Sequence, residues 1–382
     1  MSEDSRQVPL CRPSISAREI EAVVEVLQSG WLAHGEYNHR FEETFARLLG
    51  VPHAISMNSC TSAIEVALKV GGIRGEVIVP SLTFVATANA VVTAGVIPVF
   101  CDVDGPTRNV TAETIEARIT SRTEAVIPVH YGGQPCQMEE IVRLCEKHSL
   151  LLIEDSAETL GATWKGRQAG SFGIGCFSFF PTKNITTSEG GMLTCHDDEF
   201  ACKVRALISH GIASTTLARE KATRPWLRAA EMAGHNYRMP NPLAALGYCQ
   251  LQRLGELNAR RIALAQRYNT FLGPLAPMIR IPAVVEGATH VYQMYTIEVR
   301  ADLRDAIVRH LRARGVGASV HFDPPVHLQP YYLEQGAYRY KGMLPITERL
   351  AQELITLPIY PDMTDAEQDW VVHCLQEALE IT

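Results

Sequence analysis

The stretch LLLIEDSAETLGA, residues 150–162, decides how this chain is read. Four apolar residues lead into Glu154 and Asp155, and small and hydroxyl residues follow. An apolar run of this length without polar alternation reads as a strand covered on both faces. Ligands of open α/β sheets gather at the carboxyl ends of such strands. Asp155 closes the run and is placed to face a pocket floor, although a helix N-cap or a surface acid at a strand end reads the same taken alone.

Working outward, further apolar runs alternate with helical patterns. EVIVP (76–80), VIPVF (96–100), AVIPV (125–129), CFSFF (176–180) and GMLTC (191–195) read as strands. Residues 16–29 place Ile20, Val23, Val24 and Leu27 at helical spacing, with Ser16 and Glu19 as a capping box and Gly30 as the stop. Further helices are expected over 39–49, 61–69 and 138–148. The alternation predicts an α/β protein with a mostly parallel sheet flanked by helices. From about residue 250 the pattern changes to a long charged helix over 251–272, a strand at 292–299, a helix at 300–315, a strand at 317–322 and a last helix at 364–380. This predicts a large domain over 1–250 and a smaller C-terminal α+β domain over 251–382.

Composition narrows the class. The chain has 382 residues, 46% of them hydrophobic and 20% charged, so a sizeable core is available. Its formal charge of −7 carries no nucleic-acid footprint. The N-terminus, MSEDSRQVPL, has no basic start and no apolar run, which is unlike a secretory leader. The longest apolar stretch, Phe84 to Phe100, is interrupted by Asn89, Gly95 and Pro98 and is too short to span a bilayer. The ten cysteines show no CxxC pair and no metal-binding spacing, so reduced thiols, a cytoplasmic location and no bound metal are expected.

Four segments carry chemistry. NSCTSAIEVALKV (58–70) puts hydroxyls before a helix, where free N–H groups and the helix dipole favour an anion. An ordinary Ser/Thr cap explains the same residues. PSLTFVATANAV (80–91) places Phe84 after a strand, either as a core ring or as a face for a flat ligand. FSFFPTKNITTSEGGMLTC (177–195) holds Lys183, five residues after Ser178. A semi-buried lysine loses pKa by desolvation and can attack an aldehyde, whereas a surface lysine does neither. Together with Asp155, these supply phosphate donors, a stacking ring, a carboxylate and an amine, which is the set that pyridoxal phosphate needs.

On these segments, and on SGWLAHGEYNHRFEETFARLLG (29–50), PVHYGGQPCQM (128–138), HNYRMPNPLAALG (235–247), SVHFDPPVHLQPYY (319–332) and LPIYPDMT (357–364), the chain resembles the DegT/DnrJ/EryC1/StrS sugar aminotransferases of fold-type I. The resemblance implies that Lys183 holds the cofactor aldehyde and shuttles protons, and that Asp155 partners the pyridine nitrogen. It assigns phosphate binding to Thr61 and Ser178, with Cys60 and Ser62 on the same loop, stacking to Phe84, and a place beside the ring to Glu158. Asn236 is expected to reach the phosphate of a neighbouring subunit, making a homodimer with shared active sites. His321, His327 and Arg238 are expected at the substrate mouth, and Arg339 and Lys341 read as solvated loop charges.

Two positions depart from the family pattern. Phe180 stands where His or Tyr often follows, and Ser188 replaces a glycine, a strain if that turn needs positive φ. The implied reaction moves an amino group from an amino acid, by analogy glutamate, to a nucleotide-linked keto-deoxysugar, with a 4-keto-6-deoxyhexose first and a C3-keto sugar next. A free cyclitol or carbocyclic ketone is the rival acceptor. A non-catalytic cofactor-binding regulator is the alternative of another class, against which the Lys183 and Asp155 pair speaks.

Overall fold

The computed structural model describes residues 7–212, 226 and 229–381. The first six residues, part of the N-terminal reading, lie outside the described residues. At its centre is a seven-stranded sheet built from β1 (His53–Met57), β2 (Glu76–Pro80), β3 (Ile97–Cys101), β4 (Thr123–Val126), β5 (Leu151–Asp155), β6 (Ile174–Ser178) and β7 (Gly191–Cys195). The strand order is β1-β7-β6-β5-β4-β2-β3. The pairs β2/β3, β2/β4, β4/β5 and β5/β6 are parallel. Only β7 runs against the rest, pairing antiparallel with both β6 and β1.

That single reversal sets the site. The carboxyl ends of β1, β2, β5 and β6 lie at one edge of the sheet, and β7 begins there, with Gly191 opposite both Met57 and Ser178. A side chain on Gly191 would have its Cβ 2.3 Å from the carbonyl carbon of Ser59. The glycine therefore lets the turn after β1 lie directly on the sheet. From that turn starts α3 (Cys60–Val70), capped by Ser59, whose Oγ accepts the Ser62 N–H at 3.1 Å.

Two helices precede the sheet. The expected capping box is present on α1 (Ala17–Ser29), where the Ser16 N–H donates to Glu19 at 2.9 Å. Glu19 is buried and also receives Gln250 and Arg253, each at 3.0 Å. Burial opposes its ionisation, but these donors outweigh burial and hold its pKa down to about 2. The second helix, α2 (Glu36–Leu49), starts three residues earlier than expected and buries Phe41 and Phe45 against Phe177 and Phe179. Its Glu42, also buried, accepts from Ser56 N at 2.9 Å, Ser56 Oγ at 2.7 Å and Arg205 at 2.8 Å.

The C-terminal part differs more from expectation. The expected long helix is present as Leu254–Leu272, starting three residues late, and a further helix, Asn241–Gln252, precedes it across Arg253. The expected strand over 292–299 is shortened to β8 (Tyr295–Glu298), because Val291 and Met294 donate instead to the carbonyls of Gly133 and Gly132. Its antiparallel partner β9 (Leu354–Leu357) went unforeseen. No strand forms over 317–322. Ser319 alone bridges to Thr356, after which the chain turns so that His321 and Phe322 enter a cavity. A second apolar core gathers Leu264, Tyr268, Ile307, Leu311 and Leu375 with Val8. Val326, Tyr332, Tyr340 and Leu350, by contrast, pack into the main core beside Phe100.

Candidate active site

A cavity of about 530 Å³ opens where the strands end. Asp155, the last residue of β5, forms part of its wall and is 5% exposed. Its backbone is pinned from both sides, with Asp155 N donating to Pro128 O at 2.9 Å and His130 N donating to Asp155 O at 3.2 Å. The carboxylate accepts Thr87 Oγ1 at 2.7 Å and Ala157 N at 3.2 Å, and the Cys60 thiol lies 3.9 Å away. Burial raises the Asp155 pKa, and neither these donors nor the charge of Lys183 offsets it. Among the described residues no cation lies within ion-pair distance of Asp155.

Lys183 lines the same cavity from the loop after β6. Its Nζ lies 3.2 Å from Glu158 Oε1, while Glu158 Oε2 accepts the Gly132 N–H at 2.8 Å. The carboxylate is thus held by one backbone donor and aims its other oxygen at the amine. Ser178 and Thr61 bring hydroxyls to the cavity. The N–H groups of Cys60 and Thr61 open α3 and have no acceptor within the helix. Phe84 also lines the cavity with its ring 61% exposed, too open for a core phenylalanine. Phe180 borders it as well. Ser188 sits at φ 71°, the left-handed conformation that the serine-for-glycine departure made a concern.

Several expected residues lie elsewhere. Ser62 is buried with its Oγ 2.9 Å from Ser59 Oγ, and it shapes the turn without lining the cavity. Asn236 and Arg238 do not line the cavity of their own chain, and Arg238 donates to Asn236 Oδ1 at 2.9 Å. His327 is corrected outright. It is fully buried against Ser81 and Glu348 and is not at the mouth. His321 does line the cavity, with Nδ1 2.8 Å from Thr356 Oγ1, but burial lowers its pKa and so works against a charged ring there. Arg339 packs over Tyr340, outside the cavity.

Sequence reasoning also missed lining residues. Thr87 lies within a quoted segment, in the first turn of helix α4 (Ala86–Thr93), and its N–H donates to Phe84 O at 3.3 Å, so closeness in sequence to Phe84 was the available signal. Tyr131, whose OH donates to His321 O at 2.7 Å, and Glu189 had no such signal.

The residues present fit pyridoxal phosphate. A buried carboxylate without a cationic partner suits a protonated ring nitrogen, an exposed ring suits a flat ligand, and a helix start with two hydroxyls suits a phosphate. The model of the DegT/DnrJ/EryC1/StrS aminotransferase family matches residues 13–376. The chain belongs to that family. It is 38% identical over 381 residues to the spore coat polysaccharide biosynthesis protein SpsC of Bacillus subtilis, covering 98% of this chain and 97% of that one. The solved structure of DesV from S. venezuelae superposes with a TM-score of 0.88 at 32% identity, covering 98% of both chains. The putative sugar aminotransferase Spr1654 from Streptococcus pneumoniae, in its PMP-form, gives a TM-score of 0.92 at 26% identity, covering 98% of this chain and 100% of that one. The protein is therefore a pyridoxal-phosphate-dependent aminotransferase of fold-type I.

Proposed function

We propose that this enzyme transfers an amino group from an amino acid, L-glutamate by expectation, to a nucleotide-linked 4-keto-6-deoxyhexose at C4. The observation that carries the transamination is the shared cavity of Lys183, Glu158 and the buried, cation-free Asp155. Bound pyridoxal phosphate supplies an aldehyde for an amine and a ring that withdraws electrons from the substrate carbon. The chain's own groups do the rest. Asp155 holds a proton on the ring nitrogen by charge. With the cofactor bound, Lys183 Nζ would be the group that takes up and returns a proton at the substrate carbon, and Glu158, 3.2 Å away, would hold that amine in place. Phe84 covers one face and excludes water.

The sugar reading is supported by likeness to SpsC, whose name ties it to a polysaccharide, and to Spr1654, whose name ties it to sugars. A cavity of about 530 Å³ lies within the range of small-molecule sites, roughly 300–1,000 Å³. Lys183 is the cavity's single Lys or Arg among the described residues, and Glu158 pairs with it. A diphosphate therefore needs cations from outside this lining. We assign them to a second copy of the chain, with Arg238 beside Asn236 reaching across a homodimer, and place the enzyme in the cytoplasm. In the same reading residues 1–250 form a large cofactor-binding domain and residues 251–382 a small C-terminal one.

Comparing kcat/KM for the nucleotide-linked and the free keto sugar, with glutamate as donor, tests the substrate. A strong preference for the linked sugar is expected. Equal values, or preference for a cyclitol ketone, overturn the nucleotide-sugar reading. Mixing Lys183→Ala with Asn236→Asp subunits tests the shared site. Activity should return in heterodimers, and verified heterodimers without activity overturn the cross-subunit role.

A further inference from the structure

His327 has lost its place at the mouth but has gained a defined set of partners. Its backbone N–H donates to Ser81 Oγ at 3.0 Å, and the same Oγ lies 2.6 Å from His327 Nδ1. On the other side of the ring Nε2 faces the Glu348 carboxylate, which only accepts, so a neutral ring keeps its proton on Nε2 and the Ser81 hydroxyl donates to Nδ1. Nδ1 is then the acceptor, and the ring proton sits on Nε2, 3.3 Å from Glu348 Oε1. Glu348 is itself anchored by Gly342 N at 2.6 Å. Val326 N adds a bond to Ser81 O at 3.0 Å. Ser81 and His327 are both 0% exposed. Burial lowers the imidazole pKa against the pull of Glu348 and Asp102, in keeping with a neutral ring of fixed tautomer.

The two residues stand where two cavity walls meet. Ser81 follows β2 and opens the turn that carries Thr83, Phe84 and Thr87, the last of which donates to Asp155. His327 closes the segment that carries His321 and Phe322 on the facing wall. The rings of Phe84 and Phe322 are 6.1 Å apart. The geometry points to His327 as a positioning residue: through Nδ1 and Ser81 Oγ it sets the Phe84–Thr87 wall against which the cofactor binds. It touches neither cofactor nor substrate.

The two faces of the imidazole can be separated by substitution. In His327→Asn the side-chain oxygen takes the place of Nδ1 and keeps the Ser81 bond. In His327→Gln the amide takes the place of Nε2 and keeps only Glu348. The readout is the dissociation constant of pyridoxal phosphate from the full-length protein, by absorbance titration, with hydrogen exchange of residues 81–88 and melting temperature alongside. Loss of one buried hydrogen bond predicts about a tenfold weaker cofactor affinity for Ser81→Ala and for His327→Gln. Both variants should show faster exchange in 81–88. His327→Asn is expected to stay near wild type, and the Ser81→Ala/His327→Gln double variant to be no worse than either single one. A purely structural histidine predicts instead that Asn and Gln act alike and that affinity follows melting temperature, and that result overturns the proposal. Should His327→Gln fail to fold, Ser81→Ala alone decides, since unchanged affinity and exchange there overturn it too. The substrate reading is untouched by either result, because no sugar enters the measurement.

Discussion

Two buried acids sit at opposite ends of satisfaction. Glu42, in the seam beneath α2, receives two bonds from Ser56 and one from Arg205, and although burial opposes ionisation its pKa falls to about 2. Asp155, at the cavity, receives a threonine and one backbone N–H, has no paired cation, and its pKa rises with burial. Both are carboxylates on or beside the same sheet, and sequence alone does not rank them. Desolvation weighs on both, so the difference lies in how completely the chain itself answers the charge. An acid that the fold satisfies is holding the fold. An acid left short of a cation is matched to something that arrives later.

The sharpest test of this contrast lies beside Asp155. If Lys183 plays the two roles proposed for it, Lys183→Ala removes both the amine for the cofactor aldehyde and the proton carrier, so turnover should fall by more than ~10⁴-fold while the melting temperature of the apoprotein barely moves. Retained activity of a few per cent in a steady-state assay would take Lys183 out of its role. Asp155→Asn keeps shape and loses charge. A loss of about 10²–10⁴-fold in kcat is expected, the range for removing an acid–base partner. Near-normal kcat means that another acid meets the ring nitrogen.

Smaller changes sharpen the comparison. Thr87→Val removes the shortest donor to Asp155 without changing volume much. The expected loss is about tenfold in kcat, from one hydrogen bond to a charged group. Arg205→Ala should do the reverse of all three. It leaves only His34, 3.5 Å away, to answer the buried Glu42 charge and costs about 3 kcal/mol of stability by urea unfolding, with kcat unchanged. A kcat effect without a stability effect would erase the distinction between the two acids.

The acids also predict a pH signature. Glu19 and Glu42 both fall from an ordinary 4.5 to about 2 in the folded chain. Depressed carboxylates contribute stability in full above 4.5 and lose it as pH drops through about 2. Unfolding free energy measured between those limits should therefore decline steadily, and Glu42→Gln should make the decline shallower. An unchanged slope in that variant would mean that Glu42 ionises alike in the folded and unfolded chain.

The contrast bears on what the sequence could tell. Asp155 was legible because it ends an apolar run, and the run's own pattern marks the edge where ligands sit, whereas Ser178 lies inside the run read over 176–180 and was picked out by the family resemblance. Lys183 followed from its place after such a run. Thr87 was not singled out, since a threonine among alanines reads as helix filler until its partner across the fold is known. His327 was misplaced for a related reason. The resemblance put the segment at the mouth, but the partner Ser81 lies 246 residues away in sequence, and only the tertiary fold shows the bond that turns His327 inward. The strands β1 and β9 were missed because five or fewer residues abutting helices leave little periodicity to read.

One thread of chain has a bearing on how the enzyme is made. The segment that opens with Val8 runs along the far end of the sequence, with Val8 N bonded to Gly315 O, Gly317 N to Val8 O, and Ile359 N to Leu10 O. Leu10 and Cys11 from this segment line the cavity. A ribosome delivers the chain from its amino end, so these early residues must wait for nearly the whole polypeptide before they can dock. The sheet can assemble during translation, while the cofactor's enclosure is completed last. Stalled nascent chains that end before Gly315 are expected to resist protease over the sheet yet fail to retain pyridoxal phosphate, and release of the full chain is the step at which retention begins.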